Sequence, residues 1–176
     1  MICGMLSETT WGVTVVYGIS FLRERFSLTP GEASFLLIGT SLFYLMGSLL
    51  GGRLVGRVGR KRLAVLSNVL VGAFTLLYTN LGLLWASVAT LLLACTSSSI
   101  RFTSSDSLVL EQIPELQGSV MSLYTVALDR GTVVGSAVGG CTLVYMGYSG
   151  LGYFGLLSLA AATLYHIYAV DPAPPG

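Results

Sequence analysis

Three charged residues interrupt segments of the chain that are otherwise long and apolar. Glu8 lies in the first such segment, and the neighbours Asp129 and Arg130 lie in a later one. A charge inside a bilayer is costly, so it is retained where it pairs with another group or faces a watery cavity for ions or solutes. Adjacent residues on a helix point about 100° apart, so Asp129 and Arg130 each need a partner elsewhere. The alternative is a structural ion pair, such as Glu8 with Arg130, that only locks two helices together.

The composition indicates that these segments lie in a membrane. Only 10% of the 176 residues are charged and 53% are hydrophobic, and the mean hydropathy is +0.79. An ordinary soluble domain carries about 25% charged residues. The net charge of +1 gives no indication of nucleic-acid binding, because the cations are clustered in one loop. Cys3, Cys95 and Cys141 have neither disulfide nor metal-ligand spacing, so no metal or other cofactor is predicted.

Uncharged runs divide the chain into six predicted spans, because a membrane helix needs roughly 20 mostly apolar residues. The uncharged run at 63–100 is too long for one span, and Thr-Asn-Leu-Gly at 79–82 supplies a turn that divides it. The last apolar run divides in the same way at 147–150. The predicted spans lie near 1–22, 33–54, 63–79, 83–104, 118–143 and 150–169, with a tail at 171–176.

The loop between the second and third predicted spans is strongly basic. It holds five of the nine Lys and Arg residues of the chain, namely Arg53, Arg57, Arg60, Lys61 and Arg62. Loops rich in Lys and Arg stay in the cytoplasm. We therefore expect a multi-pass protein of the cell membrane with both termini in the cytoplasm. Arg101 and Asp106 lie near the cytoplasmic end of the fourth span, where extension of long side chains to the interface explains them.

Two similar glycine-rich sequences occur in the second and fifth predicted spans. Residues 47–52 and 135–140 both read G-S-x-x-G-G, each in the second helix of a three-helix unit. Such weak internal symmetry is typical of the inverted repeats of secondary transporters, and coincidence among 22 glycines is the alternative. Small residues four apart also let two helices approach closely in lipid. We expect packing faces from Gly47, Gly51, Gly131, Gly135, Gly139 and Gly140.

The basic loop and two later segments resemble one transporter family. Residues 52–62, G-x-x-x-G-R-x-G-R-K-R, resemble the signature loop of the major facilitator superfamily, with Gly56 where the family has aspartate. Residues 114–123, PELQGSVMSL, look like its run from a cytoplasmic loop into the eleventh helix. Residues 131–140, GTVVGSAVGG, are similar to its antiporter glycine pattern. The resemblance covers nearly the whole chain and matches the carboxy-terminal six-helix half.

The resemblance implies an all-α membrane fold, half of a major-facilitator fold, built from two inverted three-helix repeats. It implies a secondary active carrier for a small solute, and the glycine pattern favours efflux by an antiporter. In the family, the helices that match one, two, four and five line the cavity or the junction between halves. Glu8 and Asp129 are therefore candidates for binding a proton or cation, and Arg130 for binding an anionic substrate group or switching an ion pair.

The resemblance also implies a cytoplasmic gate and a partner. The gate loop would latch the cytoplasmic side through Gly52, Arg57, Gly59, Arg60, Lys61 and Arg62. The family's working unit has about twice this number of helices, so the expected partner is an amino-terminal six-helix half or a second copy. A six-helix carrier acting as a dimer and a truncated, non-transporting fragment remain alternatives.

One segment matches an enzyme signature. Residues 147–150, GYSG, fit the G-x-S-G nucleophile pattern of rhomboid proteases, and His166 is the only candidate base. Ser149 and His166 would lie about 25 Å apart along one helix. A serine nucleophile needs its base within about 3 Å. No catalytic residue is therefore predicted, and the protein is not expected to be an enzyme.

Overall fold

The computed structural model describes residues 1–112 and 114–170, and these are almost entirely helical. The predicted tail at 171–176 lies outside the described residues. A short 3-10 helix, Pro114–Leu116, precedes the fifth long helix. The long helices are α1 (Ile2–Phe26), α2 (Pro30–Val58), α3 (Arg60–Asn80), α4 (Leu84–Gln112), α5 (Gln117–Gly152) and α6 (Gly155–Tyr168).

The turn between α1 and α2 is fixed by caps at both helix ends. Ser27 ends α1 in the left-handed conformation, with φ 52°. Thr29 and Glu32 then form a reciprocal capping box, in which the Thr29 backbone N–H donates to Glu32 Oε2 at 2.8 Å. Pro30 occupies the first turn of α2, where its missing N–H is not needed. These local signals start α2 three residues before the predicted span.

The predicted basic loop at 53–62 is largely helical, which corrects the sequence interpretation. Helix α2 continues to Val58 and α3 begins at Arg60, so Gly59 alone separates them. Gly59 has φ 90°, which glycine adopts without a steric penalty. Lys and Arg are good helix formers, so the helices extend through the basic residues. The cations therefore project from two helix ends that meet at one glycine.

The six predicted spans are only partly supported by length and hydropathy. Within the described parts of the chain, α2, α3 and α4 are long and apolar enough to cross a membrane. Helices α5 and α6 pass together as a pair bent by 57°, which is either a broken span or a re-entrant loop. Gly147, with φ 67°, is the non-helical residue inside α5. Helix α1 is not among those that pass; it carries Glu8 and several threonines.

The helices pack in pairs that are interchangeable between the two halves of the chain. Helix α2 lies along α4 and α5 lies along α1, while α3 contacts α4 and α6 contacts α1. Helices α3 and α6 also contact each other. Exchanging α1–α3 for α4–α6 leaves this set of pairings unchanged. Each helix that carries a G-S-x-x-G-G sequence thus lies against the first helix of the other unit.

Glycines of α5 bring its backbone into direct contact with α1. A methyl group on Gly131 or on Gly135 would overlap the carbonyl oxygen of Met5 or of Thr9, respectively. Gly139 and Gly140 continue the same face against the aromatic side chain of Tyr17. Tyr17 also donates a hydrogen bond to the Ser136 carbonyl oxygen at 2.7 Å. The two helices are therefore closer than side chains larger than hydrogen would allow.

Gly47 and Gly51 likewise bring the backbone of α2 into close contact with α4. A Cβ on Gly47 would lie 2.5 Å from the Thr96 carbonyl oxygen, and one on Gly51 would lie 3.2 Å from Thr103 Cβ. Real Cβ atoms essentially never come within 3.0 Å of another atom. Gly47 and Gly51 are also, with Ala33, the buried residues of α2, so most of this helix faces outward.

A buried asparagine joins three helices in the core. Asn68 of α3 is 0% exposed. Its Oδ1 accepts hydrogen bonds from Ser7 Oγ of α1 at 2.6 Å and from Ser158 Oγ of α6 at 3.3 Å. Its Nδ2 donates to the Ala64 carbonyl oxygen at 2.8 Å. Polar side chains that bond across helices are a recurrent means of helix association in membranes.

Candidate functional site

Glu8 and Arg101 form an ion pair inside the helix bundle. Arg101 Nη2 donates to Glu8 Oε1, and the two side chains are 1% and 7% exposed, in that order. The interpretation of Arg101 as a residue that extends to the membrane interface is therefore wrong. Because α4 continues to Gln112, Arg101 lies about 16 Å from the end of its helix. The alternative pairing of Glu8 with Arg130 is not formed either.

A buried ion pair of this kind is weak evidence for stability. Removing two charges from water carries a desolvation penalty that their attraction repays only in good geometry. Breaking such a pair by removing one partner costs about 3–5 kcal/mol, because the other charge stays buried and uncompensated. Intramembrane charges are in general retained for ion or substrate handling. The Glu8–Arg101 pair is therefore a candidate functional site rather than evidence for a stable core.

The ion pair belongs to a polar chamber formed by five helices. Asp106 of α4 is partly buried near Arg101, and Tyr44 of α2 lies close to the charges of Glu8, Arg101 and Asp106. The hydroxyl oxygens of Tyr124 and Tyr165, from α5 and α6, lie 3.5 Å apart. We call Glu8, Arg101 and Asp106, together with these three tyrosines, the charged chamber.

The serines around Arg101 follow a helical spacing that the sequence interpretation overlooked. Ser97, Arg101, Ser104 and Ser105 follow the i, i+4, i+7, i+8 spacing of one helix face. All four are buried, and so is Leu108 on the same face. A polar stripe in an apolar helix indicates a face turned to the protein interior, since lipid cannot satisfy it. That spacing predicts an inward-facing Arg101.

A cleft of about 490 Å³ opens between α1, α2 and α4. The rings of Trp11 and Tyr44 stack in its wall, with centroids 5.3 Å apart and planes at 26°. Trp11 follows Glu8 by three residues, so the cleft adjoins the charged chamber along α1. The remaining lining residues are Thr14, Val15, Ile19, Leu37, Thr40, Ser41, Leu91 and Cys95.

Three hydroxyl groups give this cleft hydrogen-bond acceptors. Thr14 donates to the Thr10 carbonyl oxygen at 2.9 Å, and Thr40 and Ser41 donate to the Leu37 carbonyl oxygen at 2.8 and 2.9 Å. Because each proton is committed to its own helix, the oxygens retain lone pairs for a ligand. The cleft therefore combines an aromatic wall, apolar side chains and neutral hydrogen-bonding groups.

Asp129 and Arg130 lie outside the bundle, on an exposed face of α5. With Met5, Val126 and Val133 they border a surface groove of about 360 Å³. No ion pair joins either residue to another across the described ranges 1–112 and 114–170. They lie about 18 Å beyond the start of α5, near the middle of that long helix. Hydrocarbon would not satisfy charges at that depth.

The basic helix ends are tied to α4 by an ion pair. Arg60, the first residue of α3, pairs with Glu111, the penultimate residue of α4, and their side chains are 37% and 30% exposed. Gly52 and Arg57 are exposed on the last turns of α2, and Arg62 is exposed on α3. The sequence interpretation named the cations but not Glu111, the acidic residue that one of them contacts.

Comparison with known families decides the class of the protein. The family model described as Major Facilitator Superfamily matches residues 1–176. The chain belongs to the major facilitator superfamily. No curated protein matches it closely.

Membership confirms the predicted family and identifies the chain as an integral membrane protein of a transporter family. Members of the major facilitator superfamily move small solutes across membranes and are transporters rather than enzymes. In this major-facilitator chain, the cleft and the buried Glu8–Arg101 pair lie next to each other along α1.

Proposed function

We propose that this chain is a six-helix unit of an ion-coupled secondary carrier. A small solute binds in the cleft walled by Trp11 and Tyr44, and the Glu8–Arg101 pair couples its movement to protons. The observation that carries the proposal is a fully buried ion pair directly beside an amphipathic cleft. Neither feature is needed merely to anchor helices in lipid.

Coupling requires that solute and proton favour different states of the carrier. With Glu8 ionised, Arg101 is held by its carboxylate and α1 is tied to α4. When Glu8 binds a proton the charge–charge attraction is lost, and the two helices are freed to separate. A solute that fits the cleft in only one of these arrangements is then linked to the proton.

Asp129 and Arg130 are proposed to face a second six-helix unit, either an amino-terminal half or a second copy. Their exposure near the middle of α5 supports this, since a partner or a water-filled path can satisfy them and lipid cannot. The broad apolar surface of α2, with exposed Phe35, Leu45 and Leu49, supports a further contact with lipid or with the partner. Asp129 remains a second proton-binding candidate and Arg130 a candidate for an anionic solute group.

Two further features support a rocking carrier. The interchangeable helix pairings favour two inverted three-helix repeats, the architecture that moves by tilting one unit against another. The pair Arg60–Glu111 supports a latch at the helix ends around Gly59. We propose that these ends are cytoplasmic, that the membrane is the cell membrane, and that the direction is efflux.

Flux in sealed vesicles tests the proposal. Inverted membrane vesicles containing the full chain are energised with a pH gradient, and accumulation of a fluorescent amphipathic dye is followed. We expect Glu8→Gln to abolish dye accumulation and the proton leak that accompanies it. Glu32→Gln is the matched control, because Glu32 is exposed in the capping box of α2 and should leave flux unchanged.

Two outcomes would contradict the proposal. Dye accumulation that is unaffected by Glu8→Gln would remove Glu8 from the coupling. Absence of flux from the chain alone and from the chain co-expressed with a second six-helix unit would favour a non-transporting membrane fragment.

A further inference from the structure

The charged chamber holds two carboxyl groups and one guanidinium group. Glu8 and Asp106 contribute the carboxyl groups, and Arg101 contributes the only cation among the described residues there. With both carboxyls ionised, the chamber carries one uncompensated negative charge. Binding of a single proton would therefore leave one cation facing one anion.

Three buried polar atoms beside the charges lack a hydrogen-bond partner among the described residues, namely Arg101 Nε, Asp106 Oδ1 and Ser105 Oγ, and the first two are complementary. Arg101 Nε is a donor and Asp106 Oδ1 is an acceptor, and neither has a hydrogen bond within the part of the chain that the structure describes. Buried polar groups are rarely left unpaired, and each exception calls for a specific explanation. A second arrangement that uses both atoms would explain these two exceptions together.

The position of Asp106 on α4 makes that arrangement accessible. It follows Arg101 by five residues, a rise of about 7.5 Å toward the C-terminal end of α4 and a turn of about 140° around the helix axis, so the guanidinium has to reach around part of the helix. An arginine side chain with several rotatable bonds can turn from a neighbouring helix to its own helix over this separation. The same end of α4 carries Glu111, which pairs with Arg60.

We propose that Asp106 is the second counter-ion of Arg101, and that Arg101 transfers from Glu8 to Asp106 when Glu8 binds a proton. The proton enters from water in the adjoining cleft, and the guanidinium stays positively charged throughout. This inference rests on the proposed function and deepens it, because it names where the released arginine goes. Asp106 acts through Arg101 and is therefore a positioning residue.

The other titratable groups near the chamber do not offer a competing charge. They are Tyr44 from α2, Cys95 from α4, Tyr124 from α5, Tyr165 from α6 and Cys3 from α1. Free tyrosine and cysteine side chains are predominantly uncharged at neutral pH. They can hydrogen-bond the arginine but cannot neutralise it, so the exchange involves Glu8 and Asp106.

A double-mutant cycle on the full chain tests the inference without requiring transport. Thermal unfolding in mild detergent is measured for Glu8→Gln, Asp106→Asn and the variant with both changes. Since each carboxylate substitutes for the other, the loss of Tm in the double variant should exceed the sum of the two single losses. Asp129→Asn replaces Asp106→Asn in the control cycle, which should be additive because Asp129 is exposed.

A third substitution keeps the cycle decisive if the double variant does not fold. Arg101→Gln added to the double variant removes the uncompensated cation, so folding and Tm should recover. Additive single losses, or failure of the triple variant to recover, would overturn the role of Asp106.

A pH profile separates positioning from simple stabilisation. Asp106→Asn should flatten the pH dependence of proton-linked dye flux, and Asp106→Glu should restore it. An unchanged profile in Asp106→Asn would overturn the proposal. If the double-mutant cycle is non-additive but the unsubstituted chain shows no flux, the proposed function is wrong and the transfer of Arg101 between Glu8 and Asp106 is still supported. If flux depends on Glu8 but the cycle is additive, only the role of Asp106 fails.

Discussion

The close approach of α2 to α4 predicts that one substitution has opposite effects at two positions of the same helix. A Cβ on Gly47 would lie 2.5 Å from the Thr96 carbonyl oxygen, whereas one on Gly39 would meet its nearest neighbour, Leu92 Cδ2, at 3.9 Å. The second distance is an ordinary van der Waals contact. The first requires the backbones of α2 and α4 to separate.

The expected magnitudes follow from two competing terms. Alanine is more favourable than glycine in a helix interior by about 1 kcal/mol, so Gly39→Ala should stabilise the chain by roughly 0.5–1 kcal/mol. Overpacking a well-packed interior costs about 1–3 kcal/mol. Since the clash at Gly47 is with backbone rather than with a flexible side chain, Gly47→Ala should be destabilising on balance, by up to about 2 kcal/mol.

Thermal unfolding of the two variants in mild detergent measures the difference directly. Tm should rise for Gly39→Ala and fall for Gly47→Ala relative to the unsubstituted chain. A Cβ added at Gly52, also on α2, would have no atom within 4 Å, so Gly52→Ala should behave like Gly39→Ala. Equal stabilisation of all three variants would refute the close packing of α2 on α4.

Two further predictions use matched residues. Asn68→Leu should destabilise the chain by about 1–2 kcal/mol in thermal unfolding, because two interhelical hydrogen bonds average about 0.6 kcal/mol each and Ser7 also loses a buried acceptor. Asn80→Leu, at the exposed end of the same helix, should be near neutral. Trp11→Leu should weaken binding of a fluorescent aromatic dye, measured by titration of the purified chain. Trp85→Leu should not, because Trp85 is 80% exposed, and equal weakening would count against the cleft.

Sequence patterns were sufficient for the helices but not for their contacts. Apolar length is the dominant signal in a membrane protein, and the six uncharged runs correspond to the six long helices of the described residues. The predicted span ends at 104 and 143, however, fall well before the helix ends at Gln112 and Gly152. The uncharged runs also misjudged the basic segment, where Lys and Arg were read as a loop although they are good helix formers, and only Gly59 leaves the helix. Helix propensity therefore predicts the end of α2 better than the positions of the charges do.

The charged residues show why burial was harder to predict. Arg101 was assigned to the interface from its distance to the predicted span end, which was misplaced because α4 continues to Gln112. Asp129 and Arg130 were correctly placed within a helix, but their face depends on Gly131 and Gly135, which set how α5 rotates against α1. Which side chains of a membrane helix face lipid depends on how that helix packs against its neighbours. The sequence of a single chain does not specify that packing.

The position of the Glu8–Arg101 pair relates the packing to the proposed function. Glu8 lies on the first helix of the first three-helix unit and Arg101 on the first helix of the second. Helices α1 and α4 occupy equivalent positions in the two three-helix units. The ion pair therefore joins equivalent helices across the contact between these units. Any change in the spacing of α1 and α4 therefore changes the separation of these charges. Since the energy of a buried pair is steeply sensitive to distance, the proposed protonation of Glu8 would be energetically linked to a movement of α1 against α4.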